Sequence, residues 1–295
     1  AGTSNFRAGV NAGNSIASGG NYNVVIGDEA GTALTTGDNN VAIGFEALMT
    51  EDADGDNTAI GYQALKTLNV GNEGYNVAIG TFAGKDLTTG RKNVLIGNYT
   101  GDVLTDADTN TAVGYAALSS DTKGSKSVAI GHGALITQNF TSATNTNNTA
   151  VGYDAGTNLT TGPDNSLFGA NAGDAVTDGT RNTLLGTHAG SDITTGDDNV
   201  MIGYSAGSYS NDFITGSQNN CIGAYTVAGG TSDVGANSLG YNLTAHGGYT
   251  TVGNASNDIR ALHGSTTWST VSDERYKKNI EDAKAGLSFI NALKP

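Results

Sequence analysis

Short apolar triplets recur along this chain, each preceded by a polar residue, closed by a glycine and followed by a polar turn. The pattern reads NVAIG at 40–44 and 76–80, NTAIG at 57–61, NTAVG at 110–114 and 148–152, NTLLG at 182–186 and NVMIG at 199–203. Closing glycines fall at Gly9, Gly27, Gly44, Gly61, Gly80, Gly97, Gly114, Gly131, Gly152, Gly169, Gly186, Gly203 and Gly223. Most steps are 17 residues. Longer ones of 19, 21 and 20 precede Gly80, Gly152 and Gly223, and degenerate copies end at Gly240 and Gly253. Self-similarity at a fixed period marks a repeat architecture in which each unit contacts only its neighbours.

Each unit predicts one coil of an all-β, parallel β-roll or β-solenoid. Val-Ala-Ile is a short β-branched strand whose first and third residues share a face. The third residue is large throughout (Ile26, Ile43, Ile60, Ile79, Ile96, Val113, Ile130) and is expected to fill the coil interior. The middle residue (Ala42, Ala59, Leu95, Leu167, Met201) points the other way and is still apolar. A strand apolar on both faces is buried on both. The simplest second surface is another copy of the chain, so an oligomer is expected.

Three residues after most closing glycines stands Ala (Ala30, Ala47, Ala64, Ala83, Ala117), a small residue suited to a tight corner. Polar turns such as LTTGDNN at 34–40 and LTTGRKN at 87–93 follow, with the Gly, Asn and Asp content that positive φ demands. Asn23, Asn40, Asn57, Asn76, Asn93 and Asn110 open successive strands and are expected to stack as an amide ladder. At one coil per strand spacing of ~4.8 Å, the repeats make a rod roughly 60–70 Å long.

Composition supports many thin cores over one deep core. Gly supplies 44 residues and Pro only 2, with charged residues at 14% and aromatics at 7%. The net charge of −14 and pI near 4.4 argue against nucleic acid as partner, because phosphate contacts need clustered Lys and Arg. A single cysteine, Cys221, excludes a disulfide framework or Cys-based metal site within the chain and reads as a small apolar residue in a strand. No apolar run approaches the ~20 residues that span a bilayer, so membrane insertion is not expected. No signal peptide is recognised.

The NVAIG/NTAIG strand followed by Gly-x-x-Ala resembles the left-handed parallel β-roll of YadA-type trimeric adhesin heads. It resembles more closely the repeats of bacteriophage tail fibres that precede a C-terminal chaperone. The likeness covers about residues 5–224 and implies a homotrimer around a three-fold axis; the 17-residue unit is longer than that of the adhesin heads. Residues 1–223 form the expected shaft, 224–271 an irregular β or linker region, and 272–295 a segment of different composition. In that last segment Ile280, Leu287, Ile290 and Leu293 lie at helical spacing, predicting a short C-terminal helix.

Ser-Asp-x-Arg-x-Lys-x-Asn-Ile, from Ser272 to Ile280, is similar to the opening of the endosialidase-type intramolecular chaperone of phage tail spikes and fibres. The resemblance implies that Ser272 is a self-cleavage residue activated by Lys277, with Asp273, Arg275 and Asn279 as further matching positions. Only 23 residues follow Ser272, too few for a complete chaperone, so cleavage is expected only when the full domain is present.

Other chemistry is weakly indicated. Glycoside hydrolysis needs two carboxylates about 5–10 Å apart, yet the acidic residues sit almost wholly in repeat turns and read as solvated. EDADGDN at 51–57 has oxygen ligands at alternate positions but lacks the full Ca²⁺-loop pattern, so no metal and no cofactor are expected. His132, His188, His246 and His263 show no ligand spacing and read as surface residues. The Thr-Thr-Gly turns raise an ice-binding rival, against which adjacent threonines of a strand point to opposite faces. Receptor contacts are expected at the longer loops around 132–147 and 208–219, and in 224–268 with Trp268. The resulting expectation is a structural, non-enzymatic phage tail fibre segment, extracellular on the virion. Its expected partners are two further copies, other tail proteins and a host surface glycan or protein. A bacterial trimeric adhesin is the alternative, and a glycan depolymerase the third reading.

Overall fold

The computed structural model describes residues 2–71, 73–208 and 215–270. Over these residues the chain is all-β, a parallel β-solenoid of about fourteen turns at roughly 17-residue spacing. The expected C-terminal helix and the motif at Ser272, Asp273, Arg275, Lys277 and Asn279 lie outside the described residues.

Every clear triplet is a strand in register with its neighbours. Val24 pairs with Val41, Val41 with Thr58 and Thr58 with Val77, and the series continues to Asn220, Asn237 and Thr250. Parallel pairing therefore continues past Gly223 through the degenerate copies. It ends where Asn257–Leu262 turns back antiparallel along Tyr249–Asn254, followed by Ser269–Thr270.

The strands face the opposite way from the expectation. Their middle residues are the buried ones: Val25, Ala42, Ala59, Leu95, Leu167, Met201 and Cys221 are all 0% exposed. Ile26, Ile43 and Ile60 in the third position stay partly exposed on the outside of the coil. The reason is volume. Most coils also turn inward an Ala three residues after the glycine, and many an aliphatic seven residues after it, such as Leu34, Leu68, Leu87 or Leu104. That leaves too little room for an isoleucine in every coil.

The inner positions share the volume among adjacent coils. Where the strand centre is large (Leu95, Leu167, Leu184, Met201), the residue four after the closing glycine is Gly101, Gly173, Gly190 or Gly207. Where the centre is Ala42, Ala59, Ala112 or Ala129, that residue is Leu48, Leu65, Leu118 or Leu135, each fully buried. Ala78 with Gly84 looks underfilled, but a Cβ on Gly84 would lie 2.8 Å from Leu95 Cδ1 and 2.9 Å from Leu65 Cδ2. Neighbouring coils fill that gap.

The closing glycines are required by approach as well as by φ. Gly61 has φ +140°, and a Cβ there would stand 2.3 Å from the Gly80 carbonyl oxygen. Corners at Glu46, Gln63 and Phe82 adopt left-handed φ near 50–60°. A non-glycine residue is strained there, and each corner amide donates to the preceding coil, as Gln63 N does to Phe45 O at 2.9 Å.

The asparagine column forms as expected and is buried throughout. Asn40 N donates to Asn23 Oδ1 at 2.8 Å, Asn93 N to Asn76 Oδ1 at 3.0 Å and Asn110 N to Asn93 Oδ1 at 2.9 Å. Most amide nitrogens of the column donate to a turn carbonyl of the following coil, as Asn93 Nδ2 does to Ala107 O at 2.8 Å, whereas Asn57 Nδ2 reaches Gly55 O of its own coil at 3.1 Å. Burial of so much amide is tolerable because both ends are bonded.

Candidate functional site

With the strand centres inside, the outward face of the sheet carries the β-branched residues. Val24, Val41, Val77 and Val94 form one column and Ile26, Ile43, Ile60, Ile79 and Ile96 the next, all partly exposed. Farther along, exposure rises: Phe168 is 39%, Leu185 47% and Leu239 48% exposed. A soluble rod seldom shows so long an apolar strip, and strips of that kind mark interaction surfaces.

A column of rings borders this face. Beyond Ile60, alternation across Gly61 brings Tyr62 outward, and equivalent positions stack from coil to coil. Ring centroids are 5.5 Å apart for Phe45–Tyr62, 5.2 Å for Tyr62–Phe82, 5.3 Å for Phe82–Tyr99 and 5.9 Å for Tyr99–Tyr115. His132 joins the column between Tyr115 and Tyr153 at 5.4 and 5.2 Å. It is a surface residue, as expected, but one held by stacking. The column lapses at Ala170 and Thr187 and resumes through His188, Tyr204, Tyr225 and Tyr241. Each such pair contributes about 0.5–1.5 kcal/mol beyond area burial. Because the rings contact one another, they make two ridges, Phe45 to Tyr153 and His188 to Tyr241, instead of a row of separate platforms.

The expectation that the acidic turn residues are solvated fails at three positions. Glu51 and Asp121 are 0% exposed and Asp54 is 4% exposed. Glu51 Oε1 accepts from Asp52 N and Asp54 N, both at 3.1 Å, while Oε2 is buried without a partner. Burial, then the charge of Asp54, pushes the Glu51 carboxyl up to about 8. Asp54 Oδ2 in turn accepts from Gly71 N. Asp121 is fully engaged: Oδ1 accepts from Gly124 N and Phe140 N at 3.0 Å and Oδ2 from Gln138 Nε2 at 2.6 Å. Gln138 Oε1 accepts from Asn148 Nδ2 at 2.9 Å, and Ser127, which replaces asparagine in its column, bonds Thr146. Thr144–Asn145 pairs with Gly124–Ser125 beside this network, so the loop expected as a receptor site is partly built into the rod.

No cluster of three or more His, Cys, Asp or Glu among the described residues is placed to hold a metal ion. Cys221 is buried and its thiol is pushed up to about 12 by burial. Trp268 is 54% exposed, between Asn257–Leu262 and Ser269–Thr270. Sequence reasoning missed the ring column, although the aromatics at one or two residues after successive closing glycines would have revealed it. Comparison of the chain with protein families, curated proteins and solved structures returns no match.

Proposed function

We propose that this chain is a structural segment of a bacteriophage tail fibre, in which three copies pack their outward sheet faces around a common axis and the rod carries host-surface attachment. The observation that supports it is the apolar outward column from Ile26 to Leu239, half-exposed on a single chain. At roughly 25 cal/mol per Å² of apolar surface covered, a strip repeated over every coil favours association strongly. The number three, the fibre and the C-terminal self-cleavage at Ser272 with Lys277 come from the family resemblance. Attachment is non-enzymatic in this reading.

Native mass in solution, read by light scattering, tests it. A value near three times 29.7 kDa is expected. Ile96→Asp, an outward-facing substitution in one copy, should shift the particle toward monomer while leaving the β-rich circular dichroism spectrum intact. A monomeric wild-type chain would overturn the reading.

A further inference from the structure

The last coils differ from those before them in what they turn inward. Ser238 and Thr251 occupy the strand centres there, 1% and 2% exposed, where the coils from Val25 to Cys221 place Val, Ala, Leu, Met or Cys. The chain then reverses, setting Arg260 opposite Thr251 and Asp258 opposite Gly253. Residues directly opposed on paired strands share a face, so Arg260 and Asp258 stand on the same side as Thr251. With Asn242, Thr244, His246 and Tyr249 they line a cavity of about 270 Å³ at this end of the solenoid.

These polar groups are largely unspent within the chain. Among the described residues, the side chains of Asn242, Thr244, Tyr249, Thr251, Asp258 and Arg260 form no hydrogen bond to another residue. Asp258 Oδ1 is buried without a partner. The Arg260 guanidinium lies 5.2 Å over the Tyr249 ring and makes no ion pair with a described carboxylate. Elsewhere on the rod most buried polar side chains bridge coil to coil, with single unpartnered oxygens at Glu51, Asp102 and Asp174; here several polar groups converge on one cavity. A convergent set with no internal use calls for an explanation outside the chain's own bonding.

The chemistry narrows the ligand. Arg260 only donates, ionised Asp258 only accepts, and the amide and hydroxyls of Asn242, Thr244, Thr251 and Tyr249 do both. Adjacent hydroxyls on a ring need such a mixture. Ala255 is the sole aliphatic group in the lining, which disfavours a lipid or other apolar ligand. Asp258 in the wall and a net charge of −14 disfavour an anionic one. We infer that this cavity binds a neutral pyranose unit, with Asp258 accepting from its hydroxyls and Arg260 donating to them. The inference deepens the attachment reading, on which its biological role rests, by naming the ligand class.

Saturation-transfer NMR on the full chain tests it, with the methyl glycosides of glucose, galactose and mannose as probes and N-acetylneuraminic acid as the anionic probe. At least one neutral glycoside is expected to bind in the millimolar range, and Asp258→Asn and Arg260→Ala should each weaken it about tenfold at unchanged melting temperature. Should Arg260→Ala unfold the hairpin, Thr251→Val removes one hydroxyl at nearly constant shape and should also weaken binding. Failure of all three neutral probes, binding of the acid alone, or wild-type affinity in the variants would each overturn the inference. Adsorption of labelled chain to bacterial cells is read separately. Adsorption without glycoside binding overturns the cavity and leaves attachment standing; glycoside binding without adsorption does the reverse.

Discussion

Glu51 and Asp121 occupy the same place in their coils, seven residues after Gly44 and Gly114, on the column that Leu34, Leu68, Leu87 and Leu104 fill elsewhere. Both are completely buried. Around Asp121 the next coil supplies Gln138 and Phe140 N, the same turn supplies Gly124 N, and both carboxylate oxygens are bonded. Around Glu51 two amides share one oxygen, the other has no partner, and a second carboxyl, Asp54, stands beside it. The residue type does not set the cost of burying a charge; the donors within reach do. One site is a satisfied joint between coils and the other a weak point.

Four measurements break or sharpen that contrast. The largest effect belongs to Asp121→Ala, which strands the donors of Gly124, Phe140 and Gln138; a loss of about 3–5 kcal/mol is expected in denaturant unfolding. Next comes Glu51→Leu, which restores the apolar column and removes the unbonded oxygen. It should stabilise by about 1–4 kcal/mol at neutral pH, and a loss of stability there would refute the weak-point assignment. Gln138→Leu is expected to cost about 1–3 kcal/mol. Combining it with Asp121→Leu should cost less than the sum of the two, by a coupling of about 0.5–3 kcal/mol.

The effect that is smallest per step, though not in total, is a slope in pH. Glu51 titrates at about 8 when folded, against 4.5 as the ordinary value. Between those values the folded chain keeps a proton that the unfolded chain has released. Its contribution therefore falls as pH rises through that window, by up to about 1.4 kcal/mol per pH unit. Above the folded value it is constant. Thermal melts of wild type and Glu51→Leu from pH 5 to pH 9 should show the difference between the two chains widening up to about pH 8. A constant difference would mean that Glu51 is ionised inside the fold.

The repeat, the strands, their spacing and the asparagine ladder were legible in the sequence because each rests on local, periodic chemistry. The facing of the strands was not. Val-Ala-Ile is apolar on both sides, so alternation alone cannot say which side is inner. A second column would have settled it, because Leu95 goes with Gly101 whereas Ala42 goes with Leu48, and only residues sharing a cavity need to compensate in volume. Buried Glu51 and Asp121 were hidden for a related reason: in sequence a turn carboxylate looks the same whether its side chain points out or in. The polar cavity at Arg260 and Asp258 depends on a chain reversal that no repeat announces.

The asparagine ladder also has a direction. Asn93 Oδ1 accepts from the Asn110 backbone amide, and its own amide nitrogen reaches Ala107 while also donating back to Asn76 Oδ1, so one side chain joins the coil before it to the coil after it and offers its acceptor forward. A finished coil is thus a ready template for the next, and the rod can be assembled in the order in which the ribosome delivers it. Asn219 is the last such template: its acceptor takes Ala236 N, and alanine offers nothing onward. The antiparallel strand that follows then covers the open edge of the sheet. The parallel stacking of about fourteen turns thus has a built-in stop within the described residues.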